Sequence, residues 1–272
     1  MKKEDTPYFS IVIPTYNREK MLKNAIHSVL VQDFKSYEII VVNDASSHQY
    51  DRSYFDSIEG LHYIENHQNK GQAESRNIAA RVAKGRYLLF LDDDDCFTDG
   101  FLRKTYQYHA NKNFNIDVSW SQGINVSIEN GKEKFEPIVW PEECQSDKYA
   151  PVRFLRSGLG FGVCIRKDIF EKVGGIDTKY KFLEDTELFI RLMYYNYIPH
   201  EIKNAEVYIH KHNETQLTKE VKNFKYRIAE CKSLLNLYRD YYAVNFHSKA
   251  DLHWYMREME LEIMKSQPDL VS

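Results

Sequence analysis

The chain has 272 residues, of which 43% are hydrophobic and 14% aromatic, enough to bury a large core, so a disordered tail is excluded. Thirty-seven basic residues against 40 acidic ones leave a net charge of −3. This balance gives no general basic field for nucleic acid or anionic lipid, and an anionic ligand must be held by a local site. Cys96, Cys144, Cys164 and Cys231 show no CxxC spacing, so reduced structural thiols are expected rather than a zinc site or a disulfide framework.

The opening MKKEDTPYFSIVIPTYN has two lysines, but its apolar stretch is short and broken by Pro14. It reads as neither a signal peptide nor a membrane span, and a cytoplasmic protein is expected. Phe9 to Pro14, Tyr37 to Val42, Leu61 to Ile64 and Tyr87 to Leu91 are short apolar runs of the kind found in parallel strands buried on both faces. Met21, Leu22, Ala25, Ile26, Val29 and Leu30 fall on one helical face between the first two runs. Ala73, Ile78, Ala79, Val82 and Ala83 make a smaller stripe, ended by Gly85, between the last two. Strand and helix in alternation predict an α/β fold with a parallel sheet.

From about Asn113 to Lys148 the pattern turns mixed and strand-like, with turn signals at Glu129 to Lys132 and near Pro137 and Pro141. Ser157 to Asp177 carries five of the eleven glycines, which predicts tight backbone turns beside a ligand. Beyond about Thr215 the chain reads as helical and rich in Tyr, Phe, His and Trp.

In open α/β sheets ligands bind beyond the carboxyl ends of the strands, which here carry Pro14 to Arg18, Asn43 to Ser47 and Asp92 to Asp95. Asp92 and Asp94, in the run LDDDD, can present oxygens to a hard divalent cation that offsets their charge and draws in a diphosphate; the plain alternative is a solvated acidic turn. Asp44 can accept a bond from a base N–H or make an Asx turn. Tyr16 can stack on a nucleobase or simply pack, and Arg76 can bind phosphate or ribose or form a surface ion pair. In FLEDTELFIRLMYYNY, Leu188, Phe189, Leu192 and Met193 define a helical core face, placing Glu184 and Asp185 at its start. There Asp185 can cap the helix, act as a general base, or do both. His210 and His212, two apart in an extended segment, point to one side and can contact metal or pyrophosphate, or be plain surface residues.

Taken in order, SIVIPTYNRE, EIIVVNDASS, KGQAESRNIA, GRYLLFLDDDD, GGID and FLEDTELFIRL resemble the family 2 glycosyltransferases of GT-A fold over about Phe9 to Gln216. The resemblance implies a Rossmann-like, mostly parallel sheet flanked by helices, with residues 1–215 as the glycosyltransferase domain and 216–272 as a helical C-terminal extension. About 1–110 would be the nucleotide-binding half and 111–215 the acceptor-binding half. It implies an inverting transferase that moves a sugar from a nucleotide-diphosphate donor, a UDP-sugar, to a hydroxyl of a glycan or lipid-linked acceptor, with Mn²⁺ or Mg²⁺ as cofactor and cell-surface polysaccharide as product.

On matching positions, Pro14, Thr15, Tyr16, Asn17, Asp44, Arg76, Asp92 and Asp93 would meet the nucleotide, and Asp94, Asp92 and His210 the metal. Asp185 would be the catalytic base, with Glu184, Gly160 and Phe161 on the acceptor side. Asn43 and Ala45 depart from the family's commoner Asp and Gly. Asp93 and Asp95 lengthen the acidic run, so its register can be read displaced by one. The extension matches no family motif; packing on the core, dimerisation and peripheral contact at the inner face of a membrane are its open roles. A nucleotidyltransferase, or a non-catalytic nucleotide-sugar-binding module, is the competing reading.

Overall fold

The computed structural model describes residues 6–140, 142, 145, 150–211 and 224–238. The chain runs β1 (Phe9–Thr15), α1 (Glu19–Leu30), β2 (Tyr37–Asn43), α2 (Arg52–Asp56), β3 (Leu61–Glu65), α3 (Gln72–Val82), β4 (Tyr87–Phe90), β5 (Cys96–Phe97), α4 (Phe101–Asn111), β6 (Val118–Glu129) and β7 (Lys132–Pro137). It continues with α5 (Ala150–Ser157), β8 (Cys164–Arg166), α6 (Lys167–Lys172), α7 (Glu184–Tyr194), β9 (Pro199–His210) and α8 (Phe224–Leu237). One sheet takes the order β3-β2-β1-β4-β8-β6-β9-β5, with β7 paired to β6 outside that path.

The four N-terminal strands pair in parallel, while β8 joins β4 and β6 antiparallel and β9 returns parallel to β6. Successive residues of the apolar runs face opposite ways. Val12, Ile40, Val42, Leu88 and Phe90 enter a core shared with α3, α5, α6, α7 and α8, whereas Ile11, Ile13, Ile39, Val41 and Leu89 enter one shared with α1 and α4. The parallel half is therefore a three-layer sandwich, which is why its strands carry no polar face.

Three expectations need correction. Leu61 to Ile64 is not buried on both faces: β3 is the outermost strand, so its residues are exposed or half-buried. Val82 is 47% exposed, because the packed stripe of α3 runs through the smaller Ala73, Ala79 and Ala80, which let the helix lie close on β1 and β2. The stretch 150–157, in which no element was expected, is helix α5, whose Phe154 and Leu155 are buried.

The turn expected at Glu129 to Lys132 is found, with Asn130 and Gly131 both at positive φ between β6 and β7. The helix expected after Thr215 is met by α8, and its Cys231, Leu234 and Tyr238 are buried in the same core as α7. The second aromatic stretch, 249–265, lies outside the described residues, as do Cys144 and His212. Cys96 is half-buried and Cys164 buried, and both are free thiols. No helix among the described residues is long and apolar enough to cross a membrane.

Candidate active site

The chain order of the parallel strands reverses between β1 and β4, and the loops leaving their carboxyl ends open a crevice there. Pro14 and Thr15 are buried at the end of β1, and Tyr16, 46% exposed, stands out from the loop that follows. Asn17 takes a left-handed φ of 59°, and its Oδ1 accepts from Ser47 N–H at 2.7 Å and from Ser47 Oγ at 2.9 Å. The Tyr50 hydroxyl accepts from Arg18 N–H at 2.8 Å and from Ser46 Oγ at 3.0 Å. These bonds stitch the PTYN and NDASS loops into one wall carrying an open tyrosine ring.

Asp44 is buried at the back of that wall. Its Oδ1 accepts from Asn66 Nδ2 at 2.8 Å and Lys70 N–H at 2.9 Å, and its Oδ2 from Gly71 N–H at 2.8 Å. The carboxylate thus fixes the loop 66–71 that starts α3, using most of its acceptor capacity. Asn43 does similar work: its Oδ1 accepts from Ser46 N–H at 3.0 Å, and its Nδ2 donates to the Tyr63 hydroxyl at 2.8 Å.

The acidic run does not continue as a strand. Asp95 N–H donates to Asp92 O at 3.2 Å, closing a turn that breaks the two-residue alternation. Carboxylate oxygens of Asp92, Asp94 and Asp95 lie within 4.8 Å of one another. Asp93 instead turns toward β1, where Arg18 Nη1 lies 3.3 Å from its Oδ1 and 2.7 Å from Asp94 Oδ2. Burial and the charge of Asp94 push the Asp93 carboxyl up to about 6. Burial, then the charges of Asp94 and Asp92, holds Asp95 well above the usual carboxylate range.

His210, at the end of β9, gives its backbone N–H to Asp95 Oδ1 at 3.0 Å. Among the described residues its buried Nδ1 has no hydrogen-bond partner, and the group of convergent ligand atoms is made by Asp92, Asp94 and Asp95 without the His210 ring.

Arg76, on α3, is 1% exposed and lies beneath the acids rather than in the open crevice. Its Nη2 donates to Asp92 Oδ1 at 2.6 Å, while Nη1 lies 3.6 Å from Asp185 Oδ1 and 3.8 Å from Glu184 Oε1. Burial opposes its charge, but Asp92, Asp185 and Glu184 outweigh burial and hold the guanidinium firmly protonated. One buried cation therefore spans the acid cluster and the first turn of α7.

Glu184 is buried and accepts from Gln72 Nε2, while the Asp185 side chain is 26% exposed. Asp185 Oδ2 accepts from Leu159 N–H at 2.9 Å, and Oδ1 has no hydrogen-bond partner. Burial raises both carboxyls, with Asp185's charge adding to the effect on Glu184; Arg76 opposes the rise in each. Two adjacent carboxylates thus differ in environment: Glu184 is enclosed, whereas Asp185 is partly exposed although its Oδ1 is buried against Arg76.

The loop from α5 to β8 closes this side. Gly160 has no room for a side chain, since a methyl group there would lie 2.5 Å from Asp92 Oδ2. Phe161 O accepts from Ser121 N–H at 3.1 Å and Oγ at 2.8 Å, anchoring the loop to β6.

The profile described as Glycosyl transferase family 2 matches residues 10–174, more than half of the chain. The chain is a family 2 glycosyltransferase. An uncharacterized glycosyltransferase of Haemophilus influenzae is 30% identical over 75% of this chain and 69% of its own length. WcaA of Escherichia coli, which bears the name of a colanic acid biosynthesis glycosyl transferase, is 28% identical over 81% of this chain and 79% of its own. Solved structures of S. aureus TarS in complex with UDP (TM-score 0.63, 20% identity) and with UDP-GlcNAc (TM-score 0.66, 19% identity) are similar in fold. Each match covers 84% of this chain and 65% or 66% of the TarS chain.

In this glycosyltransferase the expected site residues do converge. Tyr16, Asp92, Asp94, Asp185, Glu184, Gly160 and His210 gather at one end of the sheet. Asp95 and Arg18, which lie in the strand-end clusters without an expected role, also belong to the constellation, as do Gln72 and the Leu159 N–H, which carry no local sign of it. Each reaches the site through a turn or a crossing of elements distant in sequence.

Proposed function

We propose that this glycosyltransferase takes a UDP-sugar as donor and a hydroxyl of a glycan or lipid-linked glycan as acceptor, and inverts the anomeric centre in one displacement. The observation that carries the reading is the Arg76 bridge. It sets the partly exposed Asp185, whose Oδ1 lies 3.6 Å from Arg76 Nη1, across one guanidinium from an oxygen-rich cluster that would hold a metal diphosphate.

The donor set fits a hard divalent cation such as Mn²⁺ or Mg²⁺: Asp92, Asp94 and Asp95 would hold it, with His210 beside them. When bound, such an ion offsets the acidic charge and stabilises the charge that grows on the departing diphosphate. The Tyr16 ring offers a face to the base, and the loop held by Asp44 and Asn66 walls the pocket. Asp185 takes the acceptor's hydroxyl proton as that oxygen forms its bond to the anomeric carbon and the bond to the diphosphate oxygen breaks. Arg76 favours the ionised form of Asp185, while buried Glu184, held by Gln72, orients the acceptor. Gly160 lets the α5–β8 loop approach the acids, so Phe161 can line the acceptor side.

The names of two relatives support cell-surface polysaccharide as the product class: WcaA, and TuaG of Bacillus subtilis, named for teichuronic acid biosynthesis and 33% identical over 52% of this chain. A screen of UDP-sugars for UDP release, with and without Mn²⁺, tests the reading. Metal-dependent release from one sugar is expected, and no release from any of them would overturn the choice of donor nucleotide.

A further inference from the structure

Helix α7, whose first two residues are Glu184 and Asp185, begins without a cap of its own. Its N-cap position is Leu183, which offers no side-chain acceptor, and the preceding residues belong to no regular element. Exposed helix-start N–H groups ordinarily take a Ser, Thr, Asp or Asn side chain from the same chain segment. Here no such side chain is supplied, and it is the segment just before the helix that is held from elsewhere. Glu230, on α8, accepts from Lys181 N–H at 2.8 Å through Oε1 and from Phe182 and Leu183 N–H, both at 3.1 Å, through Oε2. A carboxylate taking three backbone N–H groups is a strong, charge-assisted clamp.

The clamp has a second arm, in the first turn of α7 and just past the end of α8. The Tyr238 hydroxyl donates to Glu187 Oε1 at 2.6 Å, and Glu187 is held by Arg191 Nε at 2.9 Å and Nη2 at 2.6 Å. Arg191 in turn donates to Val173 O and, at 2.8 Å, to Gly175 O. Between the two arms Cys231 and Leu234 are fully buried against the core. Helix α8 therefore grips α7 at its entry and on its buried face, adjacent to the dipeptide that faces Arg76.

We propose that Glu230 is a positioning residue for the reaction, a clamp on the entry segment 181–183 that sets the direction in which Glu184 and Asp185 leave the chain. The proposal rests on Asp185 being the base. The Asp185 Oδ1 is located by only three things: the Leu159 N–H on the other oxygen, Arg76 at 3.6 Å, and the backbone at the start of α7. Loss of the 181–183 clamp frees the third of these. An error of about 1 Å at a proton-accepting oxygen costs turnover without changing the donor pocket, which is built from β1, β2 and β4.

The test uses the full chain and UDP release from whichever UDP-sugar in a panel turns over fastest, with water as acceptor. Glu230→Ala should lower kcat about 10- to 100-fold while KM for the UDP-sugar stays within about two-fold. Glu230→Gln, which keeps one acceptor oxygen of two, should recover part of the loss. Should Glu230→Ala fail to fold by circular dichroism, Glu230→Gln and Tyr238→Phe decide in its place, each expected to lower kcat at unchanged KM. A folded Glu230→Ala enzyme with wild-type kcat, or variants whose kcat falls only in step with KM or with the folded fraction, overturns the proposal. Asp185→Asn is run in parallel: if it is inactive while the Glu230 variants are normal, positioning alone is refuted. If it turns over at the wild-type rate, the base assignment fails and the proposal falls with it.

Discussion

Arg76 Nη2 donates to Asp92 Oδ1 at 2.6 Å, and this half-buried pair is the hinge of the site, because the same guanidinium faces Asp185 from its other nitrogen. Replacing Arg76 with Met keeps much of the volume but leaves Asp92, Glu184 and Asp185 without their shared cation. Breaking a fully buried pair from one side costs about 3–5 kcal/mol, and with Asp92 and Asp185 partly in solvent a loss of about 1–3 kcal/mol is expected, so Arg76→Met should unfold at lower denaturant than wild type. Urea denaturation followed by circular dichroism measures this. A shift of under about 1 kcal/mol would mean that solvent reaches these acids and replaces the guanidinium.

Asp185→Asn removes the proposed proton acceptor while preserving the shape and, through the amide oxygen, the Leu159 contact. Turnover should fall about 100-fold or more, the usual scale for a general base, with UDP affinity unchanged. Single-turnover assays paired with calorimetry separate the two effects.

Asp94→Ala should abolish Mn²⁺-dependent strengthening of UDP binding, and chelation with EDTA should do the same to the wild type. Since Asp95 shares the cluster, Asp95→Asn should also weaken the metal effect, whereas a model of the site limited to Asp92 and Asp94 would leave it untouched. Titrating UDP at fixed Mn²⁺ into each variant distinguishes the two.

Asp93 gives a pH test. Its folded-state value of about 6 stands above the ordinary carboxylate value, so the folded protein favours the protonated form. The charged carboxylate is then a cost to folding that is absent at pH well below 4 and fully present above about 6. In EDTA, Asp93→Asn should raise the melting temperature at pH 7 and leave it nearly unchanged at pH 4, a difference of about 1–3 kcal/mol. Equal effects at both pH values would show that the contact with Arg18, not burial, governs this carboxyl.

His109 sets an acid limit of the opposite sign. It is fully buried between the Tyr8 hydroxyl at 2.9 Å and Ser119 Oγ at 2.9 Å, and burial lowers its pKa to about 3. Its contribution to stability is complete above about pH 6.5 and is lost as pH falls from there toward 3, at up to about 1.4 kcal/mol per pH unit. His109→Gln, which retains hydrogen-bonding capacity, should flatten the acid limb of a melting-temperature profile. An unchanged limb would place the acid sensitivity in the carboxylates.

Much of the nucleotide half was legible because its signals are local. Runs such as YEIIVV and YLLFL are apolar at every position only when both faces are covered, and each ends in a polar cluster that the fold must place at one edge. The same reasoning misjudged Leu61 to Ile64, since an apolar run does not announce whether its strand lies at the rim of a sheet. Helix α5 escaped notice because eight residues are too few to establish a period and Pro151 masks the start.

The sequence by itself determined the family, the order of the parallel strands' end loops, and the residue types that could hold metal, base and acceptor. It could do so because each motif sits within a few residues of a strand or helix end whose geometry is fixed by local dihedrals and periodicity. Only packing settled which acids face one another, that Arg76 lies beneath them, and that Glu230 holds the segment leading into α7. Those outcomes depend on a turn that ends strand alternation at Asp92 and on helices packed across about 50 to 110 residues of chain. No local pattern encodes the distance between side chains brought together by packing.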